Sequence, residues 1–398
     1  MKFSIGFALA GVTLLLASCS SQLPTKETFA GSNSALPEPQ VAREGLFLDG
    51  YFPIGVFSQP EQSFAKWKAR GINTILESPQ GHDPESWDRA AKAAGLKIIR
   101  RPLADPKRDI GRTDLLAWSH WDEPDAAGRA PQWNPLFEKQ AAGWRRIDPQ
   151  RRIFINFAGP DLCWFTSRSD SYSVNYASHY PRLIATADWI ANDLYPTGGW
   201  LNQAHSPRRG DVSLIAEPLK ILKGMTDKPL FAFLEASEVE KGNVLGARCP
   251  TPAEMRAQIW LTLVHGARGI FYFPAIVGTT GFQFDGAPPE IVAEMQRQNG
   301  HLAKLGPLLQ SEINPKSSKV KAESSINLGW RQSGKSLLIL AVNPERREVK
   351  GFEVSTGVPT ASASGQEVLT GQVVRITNGR MMLDFEPLGV KVLLIQTP

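Results

Sequence analysis

The feature that most constrains this chain is an alternation. Between residue 51 and about residue 310, short apolar runs recur, and most are followed by a longer segment with helical periodicity. The runs read as strands at 52–57, 72–76, 96–103, 115–121, 152–157, 189–195, 229–235 and 268–273. Helices read at 61–69, 84–94, 135–147, 174–186, 212–225, 252–265 and 289–305, while 105–113 is too irregular for one. Strands that alternate with crossover helices build a parallel sheet covered on both faces. Eight such units in about 260 residues fit a closed (β/α)8 TIM barrel in number and size. The competing architecture is an open doubly wound sheet. Built for a dinucleotide, it would carry a Gly-rich first turn, and the turn after Phe57 has none.

After Ser311 the helical period disappears. Strand-like runs at 326–331, 336–342, 349–354, 373–377, 381–385 and 390–395 are joined by turn residues such as Asn378-Gly379, which predicts a small antiparallel β-sandwich domain. Within it, Gly329-Trp330-Arg331-Gln332-Ser333-Gly334-Lys335-Ser336 matches the P-loop expression letter for letter. That chemistry requires a helix after the loop, so that its N-terminal amides cradle phosphates. The apolar run 337–342 ends at Asn343-Pro344, too short for a helix, so it reads as the second strand of a hairpin and the nucleotide reading is rejected.

The first residues read as an address rather than a fold. Lys2, the apolar run 5–16 and the small residues after it have the layout of a signal peptide over 1–19. Leu16-Ala17-Ser18-Cys19 resembles the lipobox of bacterial lipoproteins, which implies a lipid on Cys19; the alternative is an ordinary secretory signal with a chance cysteine. Ser20 stands where Asp would favour retention in the inner membrane, so the expected address is the outer membrane, with the lipid as the only membrane contact. Residues 20–44 are rich in Ser, Pro, Thr and Gly. The expected layout is signal peptide 1–19, flexible tether 20–47, catalytic barrel 48–310 and β domain 311–398. Cys163 and Cys249 then form an even pair in an oxidising compartment, with a disulfide possible between them. A formal net charge of +5 without a dense Lys/Arg stripe argues against nucleic acid. No two cysteines or histidines have metal-ligand spacing, so neither a metal nor a cofactor is expected.

In a barrel of this kind the chemistry lies where strands end and the following loops begin. Strand four ends Trp121-Asp122-Glu123-Pro124-Asp125, strand six Asn192-Asp193-Leu194-Tyr195-Pro196, and strand seven Phe233-Leu234-Glu235; strand two ends at Glu77 and strand five at Asn156. Two carboxyls facing each other can cleave a glycosidic bond, one as proton donor and one as nucleophile. Glu123, flanked by Trp121 and Pro124, and Glu235, at the end of a very apolar strand, are the candidate pair; Glu238 competes with Glu235. His120 reads as a packing histidine, and Glu77 and Asp193 read either as orienting acids or as substrate contacts. No Gly-x-Ser-x-Gly elbow occurs, which weakens a serine esterase.

Over about residues 51–310 the chain resembles the clan A glycoside hydrolases, retaining enzymes on (β/α)8 barrels. Asp122-Glu123-Pro124 is similar to their Asn-Glu-Pro at the end of strand four, which implies that Glu123 is the acid/base. Glu235 falls where their nucleophile ends strand seven, and Tyr195 falls where a strand-six Tyr bonds that nucleophile. Gly266-Ala267-Arg268-Gly269-Ile270-Phe271-Tyr272-Phe273 resembles the start of their eighth strand, with Tyr272 or Phe273 replacing the usual Trp, and Asp122 replaces the Asn that bonds the sugar 2-hydroxyl. The resemblance implies retaining hydrolysis of a β-linked oligo- or polysaccharide, with Asp122, Tyr195, Trp121, Asn156, Asp193 and Tyr272 as substrate contacts and Trp164 or Trp200 as further stacking surfaces. The competing readings are a non-catalytic carbohydrate-binding lipoprotein and an assembly lipoprotein whose β domain docks a partner.

Overall fold

The computed structural model describes residues 47–198, 201, 204–239, 247–278, 281–284, 286–313, 325–356 and 362–397. The expectations for Cys19, the signal peptide, the tether up to residue 46 and Trp200 lie outside these residues. Eight parallel strands close into a barrel: Ile54–Phe57, Thr74–Leu76, Lys97–Arg100, Leu115–Ser119, Arg152–Ala158, Trp189–Asp193, Leu230–Glu235 and Ile270–Phe273, the first pairing with the eighth. Every second residue faces inward, where Leu76, Ile99, Ala117, Phe154, Trp189, Ala191, Phe231, Phe233 and Phe271 form a packed interior. Space inside is tight enough that a Cβ on Gly55 would lie 2.4 Å from the Phe271 ring. Phe47 packs edge-on against Trp189 with ring centroids 5.9 Å apart. Outward residues of the same strands join the helices in a second layer.

Side-chain caps set the start of some helices. Asp83 caps Pro84–Ala93 by accepting from the Ser86 amide at 2.8 Å, and Thr251 and Glu254 form a reciprocal capping box on Pro252–Val264. The segment expected to be irregular is a short 3-10 turn, Pro106–Asp109. One helical expectation was too narrow and one helix was absent from the sequence reading. The helix expected from 135 starts at Ala130 and carries Pro135 inside it, and Gly159–Thr166 is a helix that begins with a proline in its first turn. The helix expected at 174–186 is two helices, Ser171–Ala177 and His179–Thr186. A small sheet absent from the sequence reading, ordered Gly281–Phe284, Ala275–Gly278 and Glu238–Val239, follows strands seven and eight.

The C-terminal strands form one eight-stranded sheet, ordered Glu312–Ile313, Asn327–Ser333, Ser336–Val342, Val390–Gln396, Ser362–Glu367, Val373–Thr377, Arg380–Phe385 and Val349–Ser355. The sheet curls, so that Val354, Leu383 and Phe385 pack with Trp330, Ile339 and Leu393 in the two-layer manner of a sandwich. Asn327–Ser333 and Ser336–Val342 are the hairpin that the rejected P-loop motif spans. The reverse face of the sheet shares a core with the barrel: Leu338, Leu340 and Leu394 cluster with Trp260, Leu305 and Leu308.

Candidate active site

Strand four ends at Ser119, and the next six residues make a turn held from below. Asp125, fully buried, accepts from the Ala158 amide at 2.9 Å and from the Tyr180 hydroxyl at 3.0 Å, while the Tyr176 hydroxyl donates to its carbonyl at 2.6 Å. Its burial pushes that carboxyl well above the usual range. Above this anchor Glu123 adopts φ 44°, and the first residues after strands one and two, Ser58 and Glu77, adopt φ 50° and 53°. Left-handed backbone at non-glycine residues is sparsely populated and is held only where surrounding contacts over-determine it. Here it recurs at three strand ends around one mouth.

These turns open onto a cleft of about 480 Å³. Glu123, Asp122 and Asp193 supply its acidic wall, and Tyr195, Phe233, Phe57 and Phe273 its aromatic wall. Tyr195 lies flat against Phe273, centroids 5.5 Å apart at 12°. Asp193 follows the inward parity of Trp189 and Ala191, and its carboxyl lies within hydrogen-bonding reach of Glu123. Burial first, then the Glu123 charge, raises the Asp193 carboxyl well above the usual range. Asp122 keeps an open side to solvent and accepts from Asn156 Nδ2 at 2.9 Å; enclosure by the mouth and the Glu123 charge move its carboxyl upward too. Glu77 accepts from the Ser119 hydroxyl and pairs with Arg101 at 3.5 Å. The Arg101 guanidinium in turn covers the Trp121 ring at 3.9 Å, leaving that indole 48% exposed beside the acids.

The structure therefore gathers Asp122, Glu123, Asp193 and Tyr195 at one cleft, with Asn156 behind Asp122 and Trp121 at the rim. Glu235 is different. It continues the inward parity of Phe231 and Phe233, but the chain after strand six folds over it. The Thr197 amide donates to both its oxygens at 3.0 Å, the Gly198 amide to one at 2.8 Å, and Gln258 Nε2 to the other at 2.6 Å. The residue is 3% exposed and is not part of the cleft wall, and among the described residues Tyr195 is not one of its partners. Burial raises its carboxyl, with these donors opposing the rise.

Tyr272 does not reach the cleft, which corrects the expectation placed on it. It faces the helix layer, fully buried, and its hydroxyl donates to Asn299 Oδ1 at 2.9 Å; one residue on, with the opposite parity, Phe273 faces the cleft. Trp164 lies under the Arg168 guanidinium at 4.5 Å rather than at the cleft. His120 packs as expected, stacked on Phe137 with centroids 4.0 Å apart, and its burial lowers it to about 4. Cys163 and Cys249 are free thiols. One group of metal-ligating side chains exists among the described residues: Cys163, His205 and Glu217, whose ligand atoms lie within 4.8 Å of one another. Arg208 already pairs with Glu217 at 2.5 Å, so a cation there would compete with a guanidinium. Sequence reasoning missed the anchoring role of Asp125, although its place after Glu123-Pro124 was visible.

No protein-family model matches the chain, and no curated protein matches it in sequence. Solved structures do share its architecture. The chain is similar to a glycoside hydrolase at 12% identity and TM-score 0.56, over 90% of this chain and 96% of that one. It is similar to α-galactosidase I from Mortierella vinacea at 11% identity and TM-score 0.55, over 89% and 98%. It is also similar to a family 39 glycoside hydrolase from Bacteroides cellulosilyticus WH2 at 11% identity and TM-score 0.53, over 88% and 82%. At such identity the likeness establishes the fold.

Proposed function

We propose that this chain is a glycoside hydrolase that cleaves a β-linked glycan by double displacement at the C-terminal mouth of its barrel. The observation that carries the reading is Glu123: a carboxyl on a strained turn, projecting into a cleft with acids on one wall and aromatic rings on the other. A sugar ring matches such a cleft, because its C–H face stacks on Tyr195 or Phe273 while its hydroxyls and anomeric centre meet Asp122, Glu123 and Asp193. In this reading Glu123 protonates the leaving oxygen and then activates water. The resemblance of Asp122-Glu123-Pro124 to the clan A motif supports that role. Cys19 carries the lipid anchor, and the enzyme works in the cell envelope at the outer membrane.

A panel of β-linked polysaccharides, followed by NMR of the first-formed anomer, tests the activity and its stereochemistry. Glu123→Gln should lower turnover roughly 10²–10⁴-fold with an unchanged melting temperature. Full activity in that variant ends the assignment. Labelling of the wild-type chain, but not of Cys19→Ala, by a clickable fatty acid tests the anchor.

A further inference from the structure

The resemblance assigns the second carboxyl to Glu235, and the geometry does not support it. Both Glu235 oxygens are engaged, three bonds coming from backbone amides of the strand-six loop and one from Gln258. To attack a sugar, this carboxylate would have to leave those donors and pass the loop that covers it. Asp193 is held more loosely, with the Gly159 amide donating to one of its oxygens at 3.4 Å. It ends strand six facing inward, lines the cleft, and lies within hydrogen-bonding reach of Glu123.

Resting on the glycosidase reading above, we infer that Asp193, not Glu235, is the carboxyl that works with Glu123, and that it is the nucleophile. Burial and the neighbouring Glu123 charge disfavour an ionised Asp193 in the resting site. An inverting enzyme keeps its carboxyls about 6.5–9.5 Å apart to hold a water, and a contact pair leaves no such room. A retaining enzyme brings its carboxyls to about 5–5.5 Å, so the close approach of Asp193 to Glu123 favours retention. For the reaction to run, the proton must be on Glu123 and Asp193 ionised once the sugar is bound. It passes to the glycosidic oxygen as the C1–O bond breaks, the bonding pair staying with the leaving oxygen, and an Asp193 oxygen forms an ester bond to C1. Water then gives a proton to Glu123 and attacks C1, and Asp193 leaves as the carboxylate. Glu235 is a positioning residue: its bonds to Thr197 and Gly198 fix the loop that follows Tyr195.

The deciding experiment uses the wild-type enzyme. The sugar found active in the panel is made as a 2-deoxy-2-fluoro glycoside with a good leaving group, which traps the covalent intermediate, and the labelled peptide is sequenced by mass spectrometry. The expected label is on Asp193. A label on Glu235, or inverted product with no label, overturns the inference and leaves a glycosidase in place. A wild-type chain that hydrolyses no glycan overturns the reading itself, and this assignment with it. As a second measurement, Asp193→Asn should lose roughly 10⁴-fold or more on both natural and aryl glycosides. Glu123→Gln should keep much of its activity on the aryl glycoside, whose departure needs no acid. Glu235→Gln should act mainly through KM, and loss of kcat as large as in Asp193→Asn would count against the assignment.

Discussion

Asp125 shows how one buried side chain can set a site without touching substrate. It ties the turn after strand four to strand five and to helix His179–Thr186, and so aims Glu123. Burial holds its carboxyl protonated far above the usual range, which has a thermodynamic consequence. At acid pH the folded and unfolded chains both carry this proton. As pH rises past about 4, the unfolded chain releases it while the folded chain keeps it, so stability falls with rising pH up to the raised value. Asp193 and Glu235 are raised as well and act in the same direction. His120 and His265, which burial lowers to about 4, oppose this below about pH 6.5, so the carboxyl effect is read above that range: calorimetry should find a lower melting temperature at pH 9 than at pH 7. Asp125→Asn preserves the acceptor for the Ala158 amide and should flatten that slope. A wild-type protein more stable at pH 9 than at pH 7 would contradict this account.

At the scale of elements, the junction of the barrel and the curled sheet explains residues that looked like a nucleotide motif. Gly329 is a point of contact: a Cβ there would lie 2.7 Å from Val264 Cα and 3.0 Å from its carbonyl. Arg331 is fully buried and donates to the Leu263 carbonyl at 2.7 Å and the Trp330 carbonyl at 3.0 Å. Leu263 lies in the last turn of helix Pro252–Val264, where carbonyls lack helical partners and a cation meets the negative end of the dipole. Gly334, at φ 54°, makes the hairpin turn. Gly329→Ala forces backbone apart and should cost about 1–3 kcal/mol in urea denaturation. Arg331→Leu removes a buried donor from the Leu263 carbonyl, which keeps only the Gly266 amide among the described residues, and should cost about 1 kcal/mol. Wild-type stability in either variant would mean that the junction yields more easily than its packing indicates.

Across the whole molecule, the barrel and the sheet share one hydrophobic cluster, in which Leu338, Leu340, Val342, Val392 and Leu394 of the sheet meet Trp260, Leu263 and Leu308 of the barrel helices. Arg346, from the sheet's second turn, adds an ion pair with the buried Glu254. Elements that share a core unfold together. Residues 47–397 should therefore melt in one calorimetric transition, and a chain ending near residue 313 should expose the apolar faces of Pro252–Val264 and Pro289–Leu309 and aggregate. Two resolved transitions, or a soluble and cooperatively folded barrel alone, would refute the shared core.

The barrel was legible in local patterning, because each strand and helix writes its period in neighbouring residues and eight repeats admit few closures. The sequence also determined that acids stand at the ends of strands two, four, six and seven. Period-2 parity was available too, and separates Phe273 from Tyr272, a distinction the resemblance overrode. The strand Ser362–Glu367 stayed hidden because its order comes from backbone pairing with Val390–Gln396 and not from an apolar pattern. Which acids are available depends on packing across the barrel mouth. Glu235 is covered by amides 37 and 38 residues away in sequence, and Asp193 meets a partner on a different strand end. Such choices depend on where loops cross the barrel mouth, and loop paths are set by long-range packing that no local period encodes.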